Sequence, residues 1–276
     1  RKLRNRLHAQ HEQYRACLQK EEGIRQLPPG LQKESARAAE TFRYVRNVSD
    51  LPAYTDTEVR YYPTGEEMFE DMIEDLKSAQ HFIFLEYFII EDGVMWDTIL
   101  DILTEKVKAG VDVRVMYDDI GSMFTLPREY AAELEKRTGI QCCVFNPFVP
   151  ILSLRLNNRD HRKILVVDGK VAFTGGINLA DEYINKKVRF GHWKDSAIMV
   201  RGEAAWSMTV MFLTLWDYTR EIFTEDYDVF RPKWERPPKG GGYVQPYTDN
   251  PLDGEAVGQS VYLNLINKAR RYVYIT

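Results

Sequence analysis

His161, Lys163 and Asp168 have the spacing H-x-K-x4-D, and Gly175, Gly176 and Asn178 follow within ten positions. On a strand, side chains two apart share a face, so an imidazole and an ammonium are expected side by side. Two consecutive glycines permit close approach of the backbone to an oxyanion. These types suit attack on a phosphodiester. Imidazole is a nucleophile near neutral pH. Lys163 and Asn178 would place positive charge and a donor on the non-bridging oxygens, where transition-state charge sits. Such a reaction needs no metal, and no cofactor is expected. Three cysteines, two of them adjacent (Cys142 and Cys143), fit neither a zinc site nor a disulfide framework.

Charge supports an anionic substrate. The 276 residues carry a net charge of -4, against what a nucleic-acid coat protein usually shows. Yet between Arg155 and Arg201 ten Lys and Arg face five Asp and Glu. No stretch reaches 18 apolar residues. The longest candidate, 204–216, contains Ser207, Thr209 and Thr214 and reads as a buried helix.

The elements that must hold these residues follow from periodicity. Met68, Phe69, Met72, Ile73 and Leu76 recur at helical spacing. The apolar run 81–90 reads as a buried strand. Trp96 to Val107 reads as a helix stopped at Gly110, 111–117 as a strand, 127–138 as a helix and 140–145 as a strand. Residues 164–167 and 171–174 are strands joined by a tight turn at Asp168-Gly169. A strand over 195–201 and a helix over 204–223 complete an α/β layer structure, helices covering a mostly parallel or mixed sheet. Residues 225–255, rich in Pro and Gly, read as a linker. After it, a helix-then-strand pattern repeats that of Met72 to Leu85 at an offset of 190, from Tyr262 to Ile275.

The bare triplet is a weak signal; the G-G-x-N tail and the strand-turn-strand context strengthen it. Together they resemble the phospholipase D superfamily. Glu86-Tyr87-Phe88-Ile89, Asp118-Asp119-Ile120-Gly121-Ser122, 158–163 and Trp193-Lys194-Asp195 are similar to bacterial cardiolipin synthases, over about residues 45–276.

The resemblance implies a mixed sheet flanked by helices on both faces, the first of two repeats closing one active site. It divides the chain into a polar helical juxtamembrane segment (1–57), a first phospholipase D-like domain (58–224), a linker (225–255) and the start of a second repeat (256–276). It implies a ping-pong reaction. His161 attacks the phosphatidyl phosphorus, a second histidine protonates the leaving alcohol, and phosphatidylglycerol is both donor and acceptor. Lys163 and Asn178 bind phosphate beside Gly175 and Gly176, and Asp195 orients His161. Asp168, in the same motif, suits holding its loop better than touching substrate. Expected partners are phosphatidylglycerol and other anionic phospholipids, the bacterial membrane, and a second H-x-K-x4-D from further sequence or a dimer mate. Nucleic acid is not expected. The parent would be anchored by N-terminal helices, with catalysis on the cytoplasmic side. The departure is that this sequence holds one H-x-K-x4-D and no membrane segment.

Several readings stay open. Glu86 either lines the site and binds substrate or pairs with a buried Arg. Asp195 is the histidine's partner or an ordinary strand-edge aspartate. His192 lies near the site or has no role there. Gly121-Ser122 ends a strand with a turn, or reaches the site mouth. Residues 142–154 hold no charge and form either a buried loop or one that dips into a bilayer. A hydrolase of the same superfamily, a phospholipase or a phosphodiesterase or nuclease, and an inactive lipid-binding half-site remain alternatives.

Overall fold

A computed structural model describes residues 26–148, 159–224, 226–236, 238–249 and 255–275. The polar segment before Gln26 and residues 149–154 of the uncharged stretch lie outside them. A short helix α1 (Leu31–Glu34) leads into α2 (Ala36–Ser49). Ser35 caps α2 by accepting from the Ala38 amide, and Asp50 closes it in the left-handed region.

Seven strands build one sheet: β1 (Thr57–Tyr62), β2 (Phe82–Tyr87), β3 (Asp112–Asp118), β4 (Gln141–Phe145), β5 (Ile164–Val167), β6 (Val171–Gly175) and β7 (Ala197–Gly202). Their order is β1-β7-β6-β5-β2-β3-β4. β2, β3 and β4 are parallel, joined through α3 (Gly65–Ser78) before β2, then α4 (Val94–Lys108), a single turn α5 (Asp119–Ser122) and α6 (Tyr130–Thr138). The pairs β2–β5, β5–β6, β6–β7 and β7–β1 are antiparallel. The sheet is therefore mixed, and helices cover both faces.

Burial explains the patterning. All six residues of β2 are buried, because it is central and covered on both sides. Leu85, Tyr87 and Val115 face the core under α3 and α4, where Met72, Leu76, Trp96 and Leu103 pack. Phe84, Met116 and Val166 face the core under α7 (Ala204–Arg220), which brings Trp206, Phe212 and Trp216. Helix α7 is the apolar stretch noted in the sequence. Twelve of its residues are buried, Ser207 and Thr209 among them. Among the described residues, no helix is long and apolar enough to cross a membrane.

The turn between β5 and β6 spans 168–170, with Asp168 and Gly169 both at positive φ (52° and 65°) and the Lys170 amide donating to the Val167 carbonyl. The Pro- and Gly-rich stretch after α7 lies against the domain. Tyr227 is buried with its hydroxyl on Asp217, and Phe230 packs edge-on against Phe82 and Phe84. Val244 bridges to Tyr54, and Gln245 donates to the carbonyls of Phe42 and Leu51. Helix α8 (Val257–Lys268) then packs on α2 through Val45, Val257 and Val261. Residues 272–275 form no strand. A strand needs a pairing partner, and these side chains are exposed.

Candidate active site

Strand directions gather the chemistry at one end of the sheet. The C-terminal ends of β1, β2, β3, β4 and β6 meet the N-terminal ends of β5 and β7 there. The loops from that end carry Phe88, Asp118, His161, Asn178 and Asp195. Crevices outside the carboxyl ends of strands are where α/β sheets bind ligands.

His161 and Lys163 do not lie on the strand. β5 begins at Ile164, and residues 159–163 lead into it without regular secondary structure. They still come together. Lys163 Nζ donates to the His161 carbonyl at 2.7 Å, and both groups meet the ring of Phe88. The imidazole is 4.8 Å from its centroid and the ammonium 5.3 Å. His161 is exposed, whereas Lys163 is 3% exposed. Partial burial, and then the Lys163 charge, lower the histidine's pKa from 6.5 and favour the neutral imidazole. Burial lowers Lys163 to about 8, with Asp160, Asp195 and Asp118 pulling the other way.

Asn178 is buried, its Oδ1 accepting from the Ile89 amide and its Nδ2 donating to Tyr183 Oη at 2.7 Å. An amide nitrogen carries two hydrogens, and the second has no partner among the described residues. Gly176 holds the place beside it. A Cβ there would lie 2.1 Å from Asp195 Oδ1, so the Asp195 carboxylate rests on bare backbone. Gly175 likewise lies against the Ser196 carbonyl. No hydrogen bond joins Asp195 to His161. Asp195 accepts from the Ser196 amide, and its field acts on Lys163.

Two expected site residues stand apart. Asp168 is at the far end of β5, and its carboxylate accepts from the amides of Gln80, His81 and Phe82 at 2.7–2.9 Å. Glu86 is opposite Ile164 in the β2–β5 ladder and shares its face, the one under α7. It is fully buried, 2.6 Å from Arg162, and burial first of all keeps its carboxyl well above the usual range. Glu86 pairs with an arginine, as one of its two readings had it, but Arg162 itself is only half-buried. His192 is exposed in the loop before Trp193.

The sequence reading assigned no role to Asp118 or Phe88, and read Gly121-Ser122 as a turn or as part of the site mouth. Asp118 is fully buried. It caps α5 through the Ile120 and Gly121 amides and accepts from the Asp160 amide, directly before His161. Ser122 Oγ donates to the Phe88 carbonyl and accepts from the Ile90 amide. Gly121 is pressed on that same carbonyl, where a Cβ would sit 2.0 Å away. Gly121-Ser122 is thus a helical turn that clamps Phe88 beneath His161 and Lys163. The quoted runs 86–89 and 118–122 were the available signal.

A family model described as "Cardiolipin synthase, PLD-like domain" matches residues 72–205, a span that includes His161, Lys163, Asn178 and Asp195. The chain carries a phospholipase D-like domain of the cardiolipin synthase family. A cardiolipin synthase of Alkalihalophilus pseudofirmus is 34% identical over 261 residues, 94% of this chain and 51% of that protein. An uncharacterized protein of Streptococcus mutans is 50% identical over 245 residues, 89% of this chain and 52% of that one. The chain thus spans about half the length of these relatives. Among solved structures, Nuc from Salmonella typhimurium, a phospholipase D family member, aligns with a TM-score of 0.43 and 19% identity over 61% of this chain and 95% of that one.

Proposed function

We propose that this chain is the first catalytic half of a phosphatidyltransferase that makes cardiolipin from two phosphatidylglycerol molecules. The observation that carries the reading is the exposed His161 beside a buried Lys163, within a domain of the cardiolipin synthase family. A neutral imidazole nitrogen attacks phosphorus, and the P–O bond to glycerol breaks. The departing oxygen takes a proton from a second histidine, and a phosphatidyl-histidine remains. That second histidine then removes the proton from a hydroxyl of the next phosphatidylglycerol. The hydroxyl oxygen attacks phosphorus, the N–P bond breaks, and cardiolipin leaves with His161 restored. Lys163 and the spare Asn178 hydrogen bind the non-bridging oxygens throughout. The second histidine belongs to another H-x-K-x4-D, in further sequence or a second copy.

The test is to supply phosphatidylglycerol vesicles and analyse the products. Cardiolipin and glycerol in equal amounts support the reading. Phosphatidic acid as the main product would make the protein a hydrolase, with water taking the acceptor's place. Cardiolipin formation that survives His161→Ala would overturn the mechanism.

A further inference from the structure

Large apolar side chains are exposed around the catalytic end of the sheet. Phe124 is 94% exposed, Val188 82%, Phe190 80%, and Val94 and Met123 are exposed too. They come from three separate loops, after β2, β3 and β6, that share this end with His161. The loops at the opposite end, 79–81, 109–111, 139–140, 168–170 and 203, expose no large apolar side chain, although Val229 is exposed close to them and others are exposed on β1, at 222–223 and over 262–275. Scattered apolar residues on a surface need no explanation, but a set brought from successive connections to the mouth of one site and interleaved with cations does.

The charge between them selects the occupant. The fully exposed segment 186–190 alternates cations with its two apolar residues. Lys187 pairs with Glu91 and Arg189 with Glu182, whereas Lys186 and Lys194 have no ion-pair partner among the described residues. Apolar side chains flanked by free ammonium groups match the interface of an anionic bilayer, with acyl chains below and phosphates at the level of the lysines. An enzyme whose substrate is anchored in a bilayer gains if its nucleophile is held at the depth of the phosphates.

We propose that the loops bearing Phe124, Val188 and Phe190 dock the catalytic end on an anionic phospholipid bilayer, so that a lipid reaches His161 without leaving the membrane. This rests on the reading of the substrate as a phospholipid.

The experiment compares this chain with Phe124→Asp, Phe190→Asp and the double variant. The control is Val229→Asp, equally exposed beside Phe230, whose carbonyl lies at Gly169 at the opposite end. Flotation uses vesicles of phosphatidylcholine with and without phosphatidylglycerol. Turnover uses a short-chain phosphatidylglycerol that stays monomeric. Each Phe→Asp change is expected to lower binding to the mixed vesicles about tenfold or more. Val229→Asp leaves binding unchanged, and added salt weakens it. Turnover of the monomeric lipid stays within about twofold. If Phe124→Asp and Phe190→Asp float as well as Val229→Asp, the proposal fails. It fails equally if they change the oligomeric mass but not vesicle binding, because a protein then covers the surface. If no variant turns over phosphatidylglycerol yet binding still depends on the two phenylalanines, the surface stands and the proposed reaction falls.

Discussion

Lys163 folds its ammonium back onto the carbonyl of His161, two residues earlier, at 2.7 Å. The cation is thereby buried directly beside the exposed imidazole and lowers its pKa, second only to burial itself. The pair has opposite protonation needs. In the proposed reaction the imidazole must be neutral to attack phosphorus, and the ammonium must be charged to hold its oxygens.

That arrangement predicts a bell-shaped kcat/KM profile. The acid limb reports His161 gaining its proton, and it falls below pH 6.5 because the pKa is lowered. The alkaline limb reports Lys163 losing its proton near pH 8. Asp195 supports the Lys163 charge and makes no hydrogen bond to His161. Asp195→Asn is therefore expected to move the alkaline limb to lower pH and leave the acid limb in place. A shift of the acid limb alone would restore the role of His161 orienter.

His161→Ala should remove turnover by on the order of 10⁴ or more, as loss of a covalent nucleophile does. The side chain is exposed, so the unfolding midpoint in urea should stay within the scatter of a surface change. Acid quenching after mixing with phosphatidylglycerol should trap a phospholipid adduct on the parent and none on the variant.

Gly121→Ala tests the clamp under Phe88. A Cβ at that position lies 2.0 Å from a backbone oxygen, so the Phe88 segment must shift. Moving the surface on which His161 and Lys163 rest by about an ångström is expected to cost kcat roughly 10²-fold. Circular dichroism should retain the fold, since the buried strand β2 ends before Phe88. An unchanged kcat would show that Phe88 does not position the pair.

Much of this was legible beforehand, for definite reasons. Helices α3 and α4 announced themselves because each buries one face, so Met72, Leu76, Trp96 and Leu103 recur at helical spacing. The β5–β6 hairpin was legible because Asp-Gly suits two positive φ angles. The strand start was not. Alternation cannot separate Lys163 before the strand from Ile164 within it, because residue type does not reveal which backbone groups find a partner across the sheet. Glu86 was undecidable for a related reason. An acid in an apolar strand must find a cation, but its partner Arg162 is 76 positions away and no periodicity links them. Phe88 was given no role, and Ser122 was read only as a turn or part of the site mouth, because holding the Phe88 carbonyl and the Ile90 amide leaves no compositional trace.

Asp168 separates folding from catalysis within the motif itself. Its carboxylate takes three backbone amides of the segment entering β2. Charge-assisted bonds of this kind contribute about 1.5–3 kcal/mol each, and neighbouring ones are not additive. Asp168→Ala is expected to cost roughly 3 kcal/mol in urea unfolding, while kcat of the folded enzyme at low temperature stays within about twofold. A large kcat loss in a fully folded variant would place the residue in the chemistry after all.

Lys163 carries a cost that the fold bears for function. Its pKa falls from 10.5 to about 8 on folding, chiefly through burial. Between those values the unfolded chain holds a proton that the folded chain has lost, so stability rises with pH across that window. Below about pH 8 the ammonium is charged in both states and the full penalty applies. Lys163→Met removes the charge while keeping an unbranched chain. It is expected to be inactive, yet more stable than the parent at pH 7 by on the order of 1–3 kcal/mol. That advantage should shrink as the pH approaches 10.5. Urea denaturation of both proteins at pH 7 and pH 10 reads the difference directly. A variant less stable than the parent at pH 7 would mean that the bond to the His161 carbonyl outweighs the burial of the charge.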